Sequence, residues 1–343
     1  MAMDSSAADS YVYAKASGML ASSYVGRRAL KLFSVRTLHE LWALVCDSEV
    51  PAVPEAILAK MLEVEARDRF VESYKKLISN YANPAPVLVS LVHFYDYDNI
   101  KELGAALCFK EHDIPPVVDT KPFNLIQYEK WPDIKAMTSS SVLSWYDHVP
   151  ELSEQQANDY RLDVQYLQEL WTNVEKTDAS CRGELKRLLL EKIRMENILW
   201  ALRLKLYYNM NAEEIREHLA YSTERKTAND VFASEALKIL NWDINNYDQW
   251  QKWKYARYLN PHEEGVVWTV DPRWISNAHK KEYVAHALRS FHSFPFTECP
   301  LVCWFIVKRN ELDAIRTVSE GIRMNVSMKS AMQVAGVTEE SNG

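Results

Sequence analysis

Glycine is scarce in this chain, at 8 of 343 residues, against roughly 7% in average proteins. A sheet protein joins its strands through tight turns that need positive φ, and glycine supplies most of them. A chain this poor in glycine and rich in Leu, Ala, Glu and Lys has to build its core from helices, so the expected fold class is all-α. Its 48% apolar content is enough for real cores, and its length leaves room for two or three compact units.

Apolar residues recur at three- and four-residue intervals along most of the chain, which is the helical period. A first helix is expected over 11–32, and the pattern continues from Leu38 to Cys46 until Pro51 and Pro54 interrupt it. Pro54-Glu55 then opens a long amphipathic helix over 57–79, and another follows the breaks at Asn83, Pro84 and Pro86, over 87–107. Pro115, Pro116, Pro122 and Pro132 mark an irregular crossing segment. Residues 154–219 read as nearly continuous helix relieved at 177–183, and 225–259 as a further helical pair. An ordered loop is expected over 260–274, and two last helices over 278–291 and 298–320 before a polar tail that frays.

Three segments share an acid, any residue and isoleucine: Asp98-Asn99-Ile100, Glu196-Asn197-Ile198 and Asp313-Ala314-Ile315. Each sits late in a helical stretch, and Val87 and Leu91 upstream of the first match Leu185 and Leu189 upstream of the second. This pattern suggests three related helical units: 10–115, then 116–224 with the connecting segment, then 225–325. Residues 1–9 and 326–343 are expected as tails.

The composition and motifs exclude several function classes. A net charge of −7 does not suit a chain that neutralises nucleic-acid phosphates. No apolar run approaches the about 20 residues of a spanning helix. Met1–Ser10 lacks the basic start and apolar stretch of a signal peptide, so a cytoplasmic location is expected. Five widely spaced cysteines, Cys46, Cys108, Cys181, Cys299 and Cys303, read as reduced thiols rather than a disulfide framework. No glycines cluster to cradle a phosphate, no histidine follows a glutamate by three residues, and Cys299 and Cys303 lack a second ligand pair. No catalytic residue, cofactor, nucleotide or metal is therefore expected, although a dispersed nucleophilic site would leave no local signature. The tryptophans at 242, 250, 253, 268 and 274 could form an aromatic ligand platform, but core packing and loop anchoring are the commoner use.

Four blocks carry a family resemblance: Tyr11-Val12-Tyr13-Ala14-Lys15, Phe94 to Leu103, Glu196-Asn197-Ile198 with Ala201-Leu202-Arg203, and Lys308 to Arg316. Together and in this order they resemble the C/d family of V-type ATPase and ATP synthase subunits over about residues 11–323. The resemblance implies an all-helical, funnel-shaped protein of three similar units about a pseudo-threefold axis. It also implies a non-catalytic central-rotor subunit on the cytoplasmic face of the membrane complex. Such a protein has the central stalk and the membrane rotor ring as partners and transmits torque for ion transport, while the ion and the direction of ATP chemistry reside in other subunits.

Two features depart from the family pattern: Ala314 replaces the asparagine of the other two segments, and 242–274 has no counterpart. The repeated isoleucines read as buried packing positions. Lys101, Arg203 and Arg316 are the candidate partner contacts, although cations late in helices also complement the dipole. Two other readings are an unrelated helical scaffold and an enzyme with a dispersed site. A solenoid scaffold needs units of about 33–47 residues, shorter than the spacings of 98 and 117 between the motif acids. An enzyme needs a closed pocket with convergent polar groups.

Overall fold

The computed structural model describes residues 4–337. Helices dominate it, and no strand occurs among the described residues. The N-terminal part comprises α1 (Ser5–Ser22), α2 (Leu30–Phe33) and α3 (Leu38–Val45). The single helix expected over 11–32 is thus broken at 23–29, where Gly26 takes a positive φ. Then come α4 (Glu55–Ile78), α5 (Pro86–Cys108), α6 (Ile134–Thr138), α7 (Gln155–Val174) and α8 (Ala179–Tyr207). The chain continues with α9 (Ala212–Glu217), α10 (Ser234–Ile239), α11 (Tyr247–Trp250), α12 (Pro272–Ser293), α13 (Cys299–Arg323) and α14 (Met328–Ala335).

Local chemistry sets these ends. Proline occupies the first turn of α5, α12 and α13, where its missing N–H costs nothing. Side-chain oxygens of Asp178 and Asp271 cap α8 and α12, satisfying N–H groups that the helix cannot.

Six long helices form three antiparallel pairs, α4/α5, α7/α8 and α12/α13, each joined by a short loop. The second helix of each pair packs on the first helix of the next: α5 on α7, α8 on α12, and α13 back on α4. The pairs therefore close into a cycle, and each of its three joints has its own chemistry.

At the first joint, Glu169 of α7 accepts hydrogen bonds from Ser90 (3.0 Å) and Tyr97 (3.0 Å) and pairs with His93 (2.6 Å), all on α5. At the second, Glu191 of α8 pairs with His286 of α12 at 3.0 Å. His93 and Glu191 lie 98 residues apart, Glu169 and His286 lie 117 apart, and the motif acids have the same two spacings. One structural position pair thus carries a histidine–glutamate pair twice, with the partners exchanged. The third joint is aromatic instead: Trp304 of α13 stacks on Phe70 (5.7 Å) and on Tyr74 (5.9 Å) of α4.

The motif residues repeat their settings. Asn99 donates to the Val118 carbonyl (2.8 Å) and accepts from the Val118 N–H (3.0 Å). Asn197 does the same with Ala220, at 2.9 Å in both directions. Each amide holds the segment that follows its own helix pair. Ala314 cannot make such a clasp, and it is buried in the apolar cluster that also takes Ala331 and Ala335 of α14. That helix lies in the segment 326–343 expected as a frayed tail, of which 338–343 lie outside the described residues.

The helical pair expected over 225–259 is only α10 and α11, because Trp250, Trp253, Tyr258 and Trp268 build an aromatic core there instead. That core also takes Met195 to Leu204 of α8, so it spans the expected boundary at 225. Asn260 stays in a loop as expected, but Trp274 belongs to α12. The irregular segment after α5 packs so closely that the Tyr146 hydroxyl occupies the space a Cβ on Gly104 would need.

Burial would raise the Glu169 carboxyl, but the bonds from His93, Ser90 and Tyr97 outweigh it and hold the group below its ordinary 4.5. A depressed carboxylate contributes its full stability above its unfolded value and loses it as pH falls through the folded one. Glu169→Gln is expected to cost about 1–3 kcal/mol at pH 7. The gap from wild type should shrink as pH drops below 4.5; denaturant titration across that range checks it.

Candidate functional site: a central cavity with a charged collar

The cycle of helix pairs encloses a cavity of about 470 Å³ between α5, α7, α8, α12 and α13. Equivalent positions of the three second helices line it level by level. Leu91, Leu189 and Ile306 form one level, and Phe94, Lys192 and Arg309 the next. The Arg309 guanidinium lies 3.8 Å from the Phe94 ring centre, so residues of one level touch across the cavity.

One turn further on stand the motif acids, and each has a lysine. Glu196 pairs with Lys192, Asp313 with Lys280 of α12 at 3.1 Å, and Asp98 with Lys101 at 3.5 Å. Lys101 also pairs with Asp163 of α7 at 2.5 Å, and Asp163, Glu196 and Asp313 all line the cavity. Burial pushes the Asp98 carboxyl above its ordinary range in spite of Lys101 and Arg309. At Lys101, burial acts against the charge but Asp163 outweighs it, and the ammonium is held above its ordinary value. The Lys101–Asp163 contact is also the shorter of the two.

Two buried polar atoms in the wall, the Tyr283 hydroxyl and Asn310 Oδ1, bond to no other group of the described protein. Such atoms are costly to leave unpaired. Most of the rest of the wall is apolar, from Leu167, Leu170, Val302 and Phe305 among others, with Ser276 and His279 beside them.

The structure does not bring Lys101, Arg203 and Arg316 together. Lys101 is committed to its two internal acids. Arg203 is half-buried on α8, away from the cavity lining. Arg316 is exposed on α13, with its Nε 3.7 Å from Glu63 of α4. The cations that do line the cavity, Lys192, Lys280 and Arg309, were missed from sequence. Lys192 and Arg309 each sit four residues before a motif acid, so one further helical turn of the repeat comparison would have found them.

Exposed ion pairs of this kind contribute little to stability, about 0–1 kcal/mol. Lys192→Ala and Lys280→Ala are each expected to shift the unfolding free energy by less than about 1 kcal/mol, as denaturant titration would read.

A family model described as "ATP synthase (C/AC39) subunit" matches residues 52–333. The match takes in all three helix pairs, while the block at Tyr11–Lys15 precedes it. The chain is also similar to an uncharacterised protein of Treponema pallidum (strain Nichols), 28% identical over 322 residues that cover 94% of each chain. The family match sets aside an unrelated helical scaffold: the chain belongs to the ATP synthase (C/AC39) subunit family, the stalk subunits of V-type ATPases.

Proposed function

We propose that this chain is the non-catalytic central-rotor subunit of a V-type rotary ATPase or ATP synthase, linking the central stalk to the membrane rotor ring and transmitting torque between them. The observation that carries the reading is the closed cycle of three helix pairs around one cavity. A cycle of this kind can receive the end of a shaft on its axis. On this reading the three pairs and the segments after them are three units about a pseudo-threefold axis, and the cavity is the throat of a funnel.

The chemistry of the wall supports coupling rather than catalysis, since its charged groups are lysine–carboxylate pairs and an arginine stacked on Phe94, set on a largely apolar surface. Among the described residues no helix is long and apolar enough to cross a membrane, which fits a protein held at the cytoplasmic face through the ring. Lys101, Arg203 and Arg316 remain proposed partner contacts, with Arg316 the most accessible of them.

Removing the protein is expected to leave the catalytic head able to hydrolyse ATP in solution while ion pumping is lost, because torque has to cross this link. Pumping that survives the loss would reject the role. Reversing Lys101, Arg203 and Arg316 to Glu together is expected to weaken assembly by on the order of several kcal/mol. A melting curve of the variant separates that effect from loss of the internal Lys101 pairs. A folded variant that assembles and pumps normally would reject those contacts.

A further inference from the structure

Among the described residues, three that are not glycine have a positive φ: Lys110 (60°), Asn209 (52°) and Asn325 (53°). Each stands just past the end of α5, α8 or α13, the three helices that line the cavity level by level. After each, the chain turns back onto its helix, with Glu111 N–H donating to Ala106, Met210 to Leu204 and Val326 to Gly321. A left-handed residue after the cap is a common way to end a helix, but glycine usually fills that place and here never does.

The residue before each of these turns is large, apolar and mostly in solvent: Phe109 at 66%, Tyr208 at 66% and Met324 at 63% exposure. Three such residues at three equivalent helix ends form one pattern. Because Arg309 sits over Phe94 and the levels of the three helices match, α5, α8 and α13 run past the cavity in the same sense. Their ends then fall on one side of the molecule, about 15 Å beyond the motif acids at 1.5 Å per residue.

We propose that Phe109, Tyr208 and Met324 form a three-point apolar contact with the membrane rotor ring. This rests on the rotor reading and adds which end of the molecule meets which partner. One observation favours the ring over the shaft. A ring of identical subunits offers the same group repeatedly around its axis, which suits three like contacts placed around the cavity, whereas a shaft on the axis meets the lining. The helix dipole does not decide the charge of the matching surface, since Lys110 beside Phe109 and Arg323 beside Met324 place cations at two of the three ends.

The test uses the full-length protein, the detergent-purified ring and the purified shaft proteins as separate binding partners. The triple variant Phe109→Ala, Tyr208→Ala, Met324→Ala should keep the wild-type melting curve, because the side chains are exposed. Its Kd for the ring should rise on the order of 100-fold, with each single variant contributing about fivefold, while shaft affinity stays within about twofold. The conservative set Phe109→Leu, Tyr208→Phe, Met324→Leu should restore ring binding. Unchanged ring affinity, loss of shaft binding instead, or a loss carried wholly by one position would overturn the three-point contact. Wild-type protein that binds neither partner would overturn the rotor reading as well.

Discussion

The return of α13 to α4 is the contact on which the rest of the molecule depends. Trp304 stacks there against Phe70 and Tyr74, and Ile315 and Val318 share an apolar cluster with Leu58 and Leu62; together they turn a row of three hairpins into a closed cycle. This closing joint is made of apolar area, and it leaves the buried Trp304 indole N–H without a partner. The other two joints carry part-buried polar pairs, which are weak evidence for stability by themselves. His93–Glu169 and Glu191–His286 are the same pair with its members exchanged. The chemistry survived while the residues traded helices, which is what a shared structural position requires. An apolar closure and two polar joints complete the cycle.

The sequence disclosed the helices whose period is uninterrupted. The helices expected over 57–79 and 87–107 are α4 and α5 within two residues, because prolines punctuate them and nothing else competes. The region after residue 225 misled for a physical reason. Its helical spacing is real, but Trp250, Trp253 and Trp268 bury so much area in a small space that packing overrides propensity and leaves only short turns. Asn99 and Asn197 could be read as repeats, yet their clasps on Val118 and Ala220 depend on segments about 20 residues away that carry no matching pattern. The candidate site was the least legible part. Charge late in a helix singles out Lys101, Arg203 and Arg316, but that rule is blind to which way a side chain faces, and the structure shows Lys101 already paired within the chain.

The same cycle gives the functional reading its physical content. A protein that passes torque has to be stiff where its units meet and receptive where its partner enters. Two of the joints are hydrogen-bonded and the third is packed aromatic area, whereas the cavity carries apolar wall and a collar of charged groups. Those features suit occupation by another protein's helices more than the holding of a reactive small molecule. Family membership and the geometry of the chain point the same way from independent starting points.

A single-particle reconstruction of the intact membrane complex containing this chain tests the central claim most directly. The chain should lie on the rotation axis between stalk and ring, with the cavity between α5, α8 and α13 filled by helices of the shaft. A chain found on the periphery of the complex, or on the axis with the shaft docked elsewhere and the cavity unfilled, would contradict it.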